Sequence, residues 1–195
     1  MKLTKVLAII FLLFLIPAKS FADAPEISAE QKYFNVIKGH YVLKGNVNVG
    51  LNNRGLKAKI SADEARVSLL GQKCWATGKV TFVHDNVVFG CDKAFLQWST
   101  KTADVVGAVK FESKDTVSIT ADSATFNWSE KIADFYGAVN LKPEENLSFA
   151  EDIELEDVTY AHVQFNVREN KILVLEKVSD VAGIEIPDSD VDVEQ

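Results

Sequence analysis

The stretch Ile119-Thr-Ala-Asp122-Ser-Ala124-Thr-Phe126-Asn-Trp128, a polar turn, and then Ala133-Asp-Phe135-Tyr-Gly137-Ala-Val139-Asn-Leu141 decides the fold, because the chain repeats it in variants. The tripeptide Gly-x-Val begins at Gly45, Gly78, Gly107 and Gly137, a nearly even spacing. A small residue and an aspartate precede the last three, at Ala62-Asp63, Cys91-Asp92 and Ala121-Asp122. The intervals from Asp63 to Gly78, from Asp92 to Gly107 and from Asp122 to Gly137 are identical. A constant interval marks one structural unit copied along the chain, with length variation confined to the turn after each Gly-x-Val strand.

Inside the unit the apolar residues alternate. Around Gly78 they are Cys74, Ala76, Val80 and Phe82, around Gly107 Ala103, Val105, Val109 and Phe111, and around Gly137 Ala133, Phe135, Val139 and Leu141. Lys79, Lys110, Asp134 and Asn140 fall between them. A period of two with one apolar and one wet side is the pattern of a half-buried strand. The aspartate half alternates as well, but its phase slips: Phe89 and Cys91 are followed by Ala94, Leu96 and Trp98, and Ile119 and Ala121 by Ala124, Phe126 and Trp128. A step of three in a two-residue period calls for a bulge or corner, where the strand bends and keeps its apolar side inward. Asp63, Asp92 and Asp122 suit that corner, since a short carboxylate can accept a nearby backbone N–H.

A degraded copy runs from Val158 to Val167, with Ala161 in the place of the aspartate. Gly137 to Ala161 spans far more chain than Gly107 to Asp122, so this copy carries an insertion around Lys142 to Asp157. The insertion is acidic with Phe149, Ile153 and Leu155 interspersed; it reads as a solvated loop with one strand inside it, or as an extra strand pair or flap. Turns are legible at Asp85-Asn86, Ser113-Lys114-Asp115, Ser129-Glu130-Lys131 and Glu169-Asn170, with a further one at Asn52-Asn53-Arg54-Gly55. The pattern predicts an all-β, elongated antiparallel fold of repeated strand units.

At the N-terminus, Lys2 and Lys5 precede the apolar run Val6 to Ile16, and Ser20-Phe21-Ala22 supplies small residues for cleavage. At the helical rise that run reaches about 16 Å, short of a ~30 Å hydrocarbon core. Residues 1–22 therefore read as a cleaved secretory signal, the alternative being a retained single-span anchor. Residues 23–32 form a polar lead-in, 33–178 the repeat domain, and 179–195 an acidic flexible tail. Removing the signal leaves 18 basic against 28 acidic residues, a charge of −10, which argues against binding nucleic acid by phosphate neutralisation.

His40, His84 and His162 sit at unrelated places, and no metal-binding, nucleophile-elbow or phosphate-loop motif occurs. Asp92 near His84 could be imagined as an acid–base pair, but the repeat already accounts for Asp92. Nothing supports catalysis, a metal or a cofactor. Cys74 and Cys91 both occupy inward positions: a hairpin turning near Asp85 pairs Cys74 with about residue 96, so a bridge needs contact across two facing layers, and free buried thiols are the alternative. What remains is the apolar face. It comprises Val80, Phe82, Phe89, Leu96, Trp98, Val109, Phe111, Ile119, Phe126, Trp128, Val139, Leu141, Phe165 and Val167. These residues form either an ordinary sandwich core or the lining of a trough that takes long acyl chains.

Gly-Asn-Val at Gly45, Ile-Ser-Ala-Asp at Ile60, Gly-x-Val at Gly78 and Ile-Thr-Ala-Asp at Ile119, behind a signal segment, resemble the LptA/OstA-like family of periplasmic lipopolysaccharide-transport proteins. The resemblance covers Tyr33 to about Val178. It implies an open, groove-like β-jellyroll whose interior shields the acyl chains of lipopolysaccharide or a similar lipid, with molecules joining end to end through terminal strands. The expected docking strands are those near Tyr33 to Val42 and Lys171 to Val178. A membrane-anchored relative in the same pathway and a structural β-protein with a closed core are the alternatives.

Overall fold

The computed structural model describes residues 26–53, 56–151 and 153–177; the segments read as signal and acidic tail lie outside them. Twelve strands follow one another: β1 (Glu26–Ser28), β2 (Gln31–Asn35), β3 (His40–Asn53), β4 (Leu56–Ser68), β5 (Lys73–His84), β6 (Val87–Gln97), β7 (Thr102–Ser113), β8 (Val117–Asn127), β9 (Ile132–Pro143), β10 (Ser148–Phe149), β11 (Tyr160–Asn166) and β12 (Lys171–Lys177). They form one sheet in the order β1-β3-β4-β5-β6-β7-β8-β9-β11-β12-β10, with β2 also beside β3. The long strands are successive antiparallel neighbours, as the repeat predicts. β10 is different, lying parallel to β12. From β3 to β12 the main path takes eight strand steps, roughly 38 Å at ~4.8 Å each, so the fold is elongated across its strands.

Every long strand is bent at one level. Gly45-Asn46 stand opposite Asp63, Gly78-Lys79 opposite Asp92 and Gly107-Ala108 opposite Asp122, two residues against one. At these three corners both residues of the pair are left-handed, with φ of +76° and +47° at Gly78 and Lys79. That is a bulge repeated from strand to strand, and it produces a fold line across the whole sheet. The aspartate side chains lie against the glycines of the following strand: a Cβ on Gly78, Gly107 or Gly137 would overlap Oδ2 of Asp63, Asp92 or Asp122, the first of these at 2.6 Å. Asp122 Oδ2 also accepts the Ala138 N–H at 3.0 Å.

The bend folds the sheet onto itself. Phe82 on β5 and Phe126 on β8 are three strands apart, about 14 Å in a flat sheet, yet their ring centroids are 6.4 Å apart. Phe89 and Phe135, again three strands apart, meet at 6.3 Å, and Phe111 and Phe165 at 5.7 Å. The strand halves carrying Cys74, Ala94, Ala103, Phe126, Phe135 and Phe165 therefore form one layer, A. Those carrying Phe82, Phe89, Phe111 and Ile119 form the facing layer, B, and the core between them is continuous.

Within the expected polar lead-in, residues 26–32 hold β1 and the start of β2. Ile27-Ser-Ala-Glu30 matches Ile60-Ser-Ala-Asp63, and Glu30 stands to Gly45 at the same interval as Asp63 to Gly78. Glu30 takes the aspartate's place: a Cβ on Gly45 would overlap its Oε2, and its N–H donates to the Gly45 carbonyl at 2.9 Å. β1 and β2 are thus the two halves of one repeat strand, split at the corner. In the degraded copy the position at that same interval beyond Ala161 is Glu176 and not glycine. The aspartate and its glycine are lost together, as expected if each exists to fit the other.

Candidate functional site: the interior between the layers

The apolar residues singled out from the sequence converge on one space. Val80, Phe82, Phe89, Leu96, Val109, Phe111, Ile119, Phe126, Val139 and Phe165 are no more than 1 % exposed. Trp128 and Val167, near the free edge of layer A, are also buried, while Trp98 and Leu141 are partly buried against the same cluster. Phe89 touches Phe111, Phe126 and Phe135, and Phe111 touches Phe135 and Phe165, so six phenylalanines, Phe82 included, interleave across the gap. The layers are in contact at these rungs.

The inward cysteines belong to the same lining. Cys74 pairs with Leu96 and Cys91 with Val80, on opposite sides of the corner, and both thiols are free. Burial pushes both up to about 12, so they act as small apolar residues and not as nucleophiles.

A polar clasp crosses the seam where the free edges of the layers meet. It joins the β5–β6 turn of layer B to the β8–β9 turn of layer A, with the same three-strand offset as the phenylalanine rungs. Lys131 Nζ lies 2.7 Å from His84 Nε2 and 2.7 Å from Asp85 Oδ2. His84 Nδ1 is 3.0 Å from the Lys57 carbonyl oxygen, so the neutral ring donates from Nδ1 and accepts from Lys131 at Nε2. Burial holds the imidazole below its ordinary value; the Lys57 bond opposes this, the Lys131 charge adds to it and Asp85 opposes it. The hydrogen bond from Lys131 holds the Asp85 carboxyl below its usual range. His84 also packs on Phe82 and Phe126, which couples the clasp to the first rung. His84 therefore has Asp85 and Lys131 as its polar partners, not Asp92. No sequence motif could have shown this, since Lys131 is 46 and 47 residues from the two groups it joins.

The two ends of the interior differ. At the C-terminal end the acidic insertion leaves layer B at Pro143, with Glu144 N–H donating to Thr116 O, and reaches layer A, where Ser148 and Ala150 donate to Asn170 and Ile172 carbonyls. Leu147, Phe149 and Ile153 lean on the core as it crosses. The insertion is thus an end cap with one short strand, β10, pairing Ser148 with Lys171 and Phe149 with Ile172. Part of the backbone edge expected to dock a partner at β12 is therefore already covered. At the N-terminal end β2 carries Tyr33, 53 % exposed, and Phe34, 49 % exposed, and Phe34 stands edge-on to Tyr41 at 5.0 Å. Lys32 occupies an inward position here, its Nζ 5.2 Å from the Tyr41 ring centroid. A lysine on a terminal strand is a common guard against indiscriminate strand pairing.

The comparisons with known proteins agree with this geometry. A family model described as OstA-like protein matches residues 62–170, a span that takes in the Asp63, Asp92 and Asp122 corners and the degraded copy. Comparison with curated proteins returns no match. Among solved structures the chain is similar to LptH, the LptA-homologous periplasmic component of the lipopolysaccharide transport device from Pseudomonas aeruginosa. The TM-score is 0.55 at 10 % identity, over 62 % of this chain and 95 % of that one. At that identity the likeness concerns the fold: an open, folded-over β-jellyroll. With more than half of its length matched by the family model, this chain belongs to the OstA-like protein family.

Proposed function

We propose that the protein is a non-enzymatic periplasmic carrier or bridge that shields the acyl chains of lipopolysaccharide, or a similar lipid, on the way to the outer membrane. The observation that carries the reading is the continuous apolar interior between two layers that meet along one side through side chains such as Lys131, His84 and Asp85. Family membership and the likeness to LptH support it. Each acyl CH₂ taken out of water is worth ~0.8 kcal/mol, so a multi-chain lipid needs such a shelter to cross an aqueous space. Parting the layers breaks the clasp and exchanges phenylalanine contacts for acyl contacts, while the main ladder of the sheet stays intact. On this reading the β2 edge is the end at which a partner's strand adds, since β10 occupies part of β12. The test is a photocrosslinking residue at Phe111 or Phe126 in cells, with native mass spectrometry of the purified protein. Capture of an acylated lipid is expected, and its absence at both sites refutes the reading.

One observation favours a second reading, a structural envelope β-protein with a closed core: the rung residues are 0–1 % exposed. The crosslinking experiment distinguishes the two: a closed scaffold captures no lipid at Phe111 or Phe126 in cells, whereas a carrier does.

A further inference from the structure

A second concavity lies on the outer face of layer A, at the N-terminal end, and the acyl interior does not use it. Its volume is about 320 Å³, at the lower end of the range of small-ligand sites. β2 supplies Tyr33 and Asn35, β3 supplies His40, Val42 and Lys44, β4 supplies Glu64 and Arg66, and β5 supplies Trp75 and Thr77, with Lys38 on the rim.

The charge of this hollow opposes that of the protein. The chain carries −7 overall, yet Lys38, Lys44 and Arg66 gather here, and Glu64 is the one carboxylate among the lining residues. Glu64 sits 3.4 Å from Lys44 and orients that ammonium, while Lys38 and Arg66 add two further positive charges to the wall. The rim is shaped as well as charged: Asn35 Oδ1 accepts the Lys38 N–H at 3.0 Å, fixing the turn that places Lys38. An arginine's planar fork matches a phosphate, lysines supply point charge, and flat Tyr33 and Trp75 can stack on a sugar ring beside hydroxyl-binding Asn35 and Thr77.

We propose that this hollow binds a phosphorylated sugar. Its position brings it to the margin of the interior, because β2 is an edge strand of layer A: Tyr33 faces the hollow and Phe34 faces Tyr41 on the inner side. A lipid with a phosphorylated sugar head can straddle that strand, head outside and chains within. This lipid arm rests on the carrier reading, whereas a free sugar phosphate does not require it.

The test titrates the full chain with glucose 1-phosphate, with glucose, and with a synthetic diacylated glucosamine 1-phosphate, in wild type and in Arg66→Gln and Lys38→Gln. Each variant is checked for an unchanged melting curve, and the second variant stands in if the first fails to fold. The expected result is binding that needs the phosphate, weakens with salt, and falls about tenfold or more in either variant. If the acylated probe binds more tightly than glucose 1-phosphate and both lose affinity in the variants, the source is a lipid headgroup. If acylation adds nothing, the sugar-phosphate site stands and the carrier reading fails. Binding of neither phosphorylated probe, or binding indifferent to both substitutions, overturns the proposal. Tight binding of the acylated probe with that same indifference overturns the hollow alone.

Discussion

Gly137→Ala should unfold the protein several degrees earlier than any exposed alanine ordinarily would, for two separable reasons. First, Gly137 has φ +92°, where an L side chain costs about 1–2 kcal/mol. Second, the new Cβ would overlap Asp122 Oδ2 and lie 2.6 Å from Asp122 Cβ. The carboxylate must swing away, which forfeits its bond from the Ala138 N–H; in this exposed setting that is about 1 kcal/mol. The total is roughly 2–3 kcal/mol, or about 5–10 °C in Tm for a domain of this size, read by circular dichroism in thermal and urea unfolding.

Partner substitutions separate the two effects. Gly39→Ala isolates the backbone cost, since Gly39 has φ +64° and nothing within 4 Å of a new Cβ. Asp122→Ala isolates the hydrogen bond. Adding Asp122→Ala to Gly137→Ala removes the oxygen overlap but keeps the Cβ overlap, so it should rescue little, whereas Asp122→Gly should rescue more. A Gly137→Ala protein as stable as wild type to within about 0.5 kcal/mol, the usual reach of an inert surface change, refutes this reading of the corner. Equal rescue by alanine and glycine at position 122 refutes it as well.

Four further outcomes follow from the interior and its boundaries. The His84 imidazole is held neutral in the fold, so its contribution is complete above the ordinary histidine value of 6.5 and is lost as pH falls below it; His84→Gln should flatten the stability profile between pH 7.5 and 5, and an unchanged slope would remove His84 from the clasp. Cys74 and Cys91, with thiols pushed up to about 12, should react with a thiol reagent at pH 8 only after denaturation, so rapid labelling of the native protein would contradict their burial. Replacing residues 144–157 with a short turn should expose the β12 edge and produce concentration-dependent association in sedimentation velocity; a strictly monomeric variant would show that β10 is not what blocks that edge. Because the C-terminal end is capped, lipid added to a set of single-site crosslinkers should reach the Phe82 rung before the Phe165 rung, and the reverse order would place the entrance at the cap.

Much of the architecture was legible because its cause is local. A two-residue period with a three-residue slip at Asp92 and Asp122 is a record of a strand that bends, and the constant interval to Gly107 and Gly137 reflects one side chain lying on one glycine of the next strand. Glu30 obeys the same interval, yet two departures from the pattern obscure it. A longer carboxylate replaces aspartate, and Lys32 breaks the apolar alternation where the copy at residue 65 has alanine. The clasp and the hollow were not legible, since both depend on which strand lies opposite which, and that offset is set by the fold line and twist of the whole sheet. Trp75 and Phe95, 5.3 Å apart on the outer face, show the same limit. Alternation assigns them to the wet side without revealing that a partner across the ladder covers them.

A tightly packed interior and a carrier's interior are compatible once the opening is considered rung by rung. Burying a phenylalanine contributes about 1.5–3 kcal/mol, so exposing all six at once would cost about 9–18 kcal/mol, as much as a whole domain's stability. Empty opening along the full length is therefore excluded. Local opening of one rung beside an incoming acyl chain is a different matter, because apolar contact is exchanged for apolar contact and the main new cost is the local clasp. The order of events is then set by the ends: the insertion ties both layers together beside Ile172, while Phe34 and Tyr41 present partly exposed apolar surface at the other end. On the carrier reading the interior thus has a direction, built from an insertion that reads in sequence as a mere departure from the repeat.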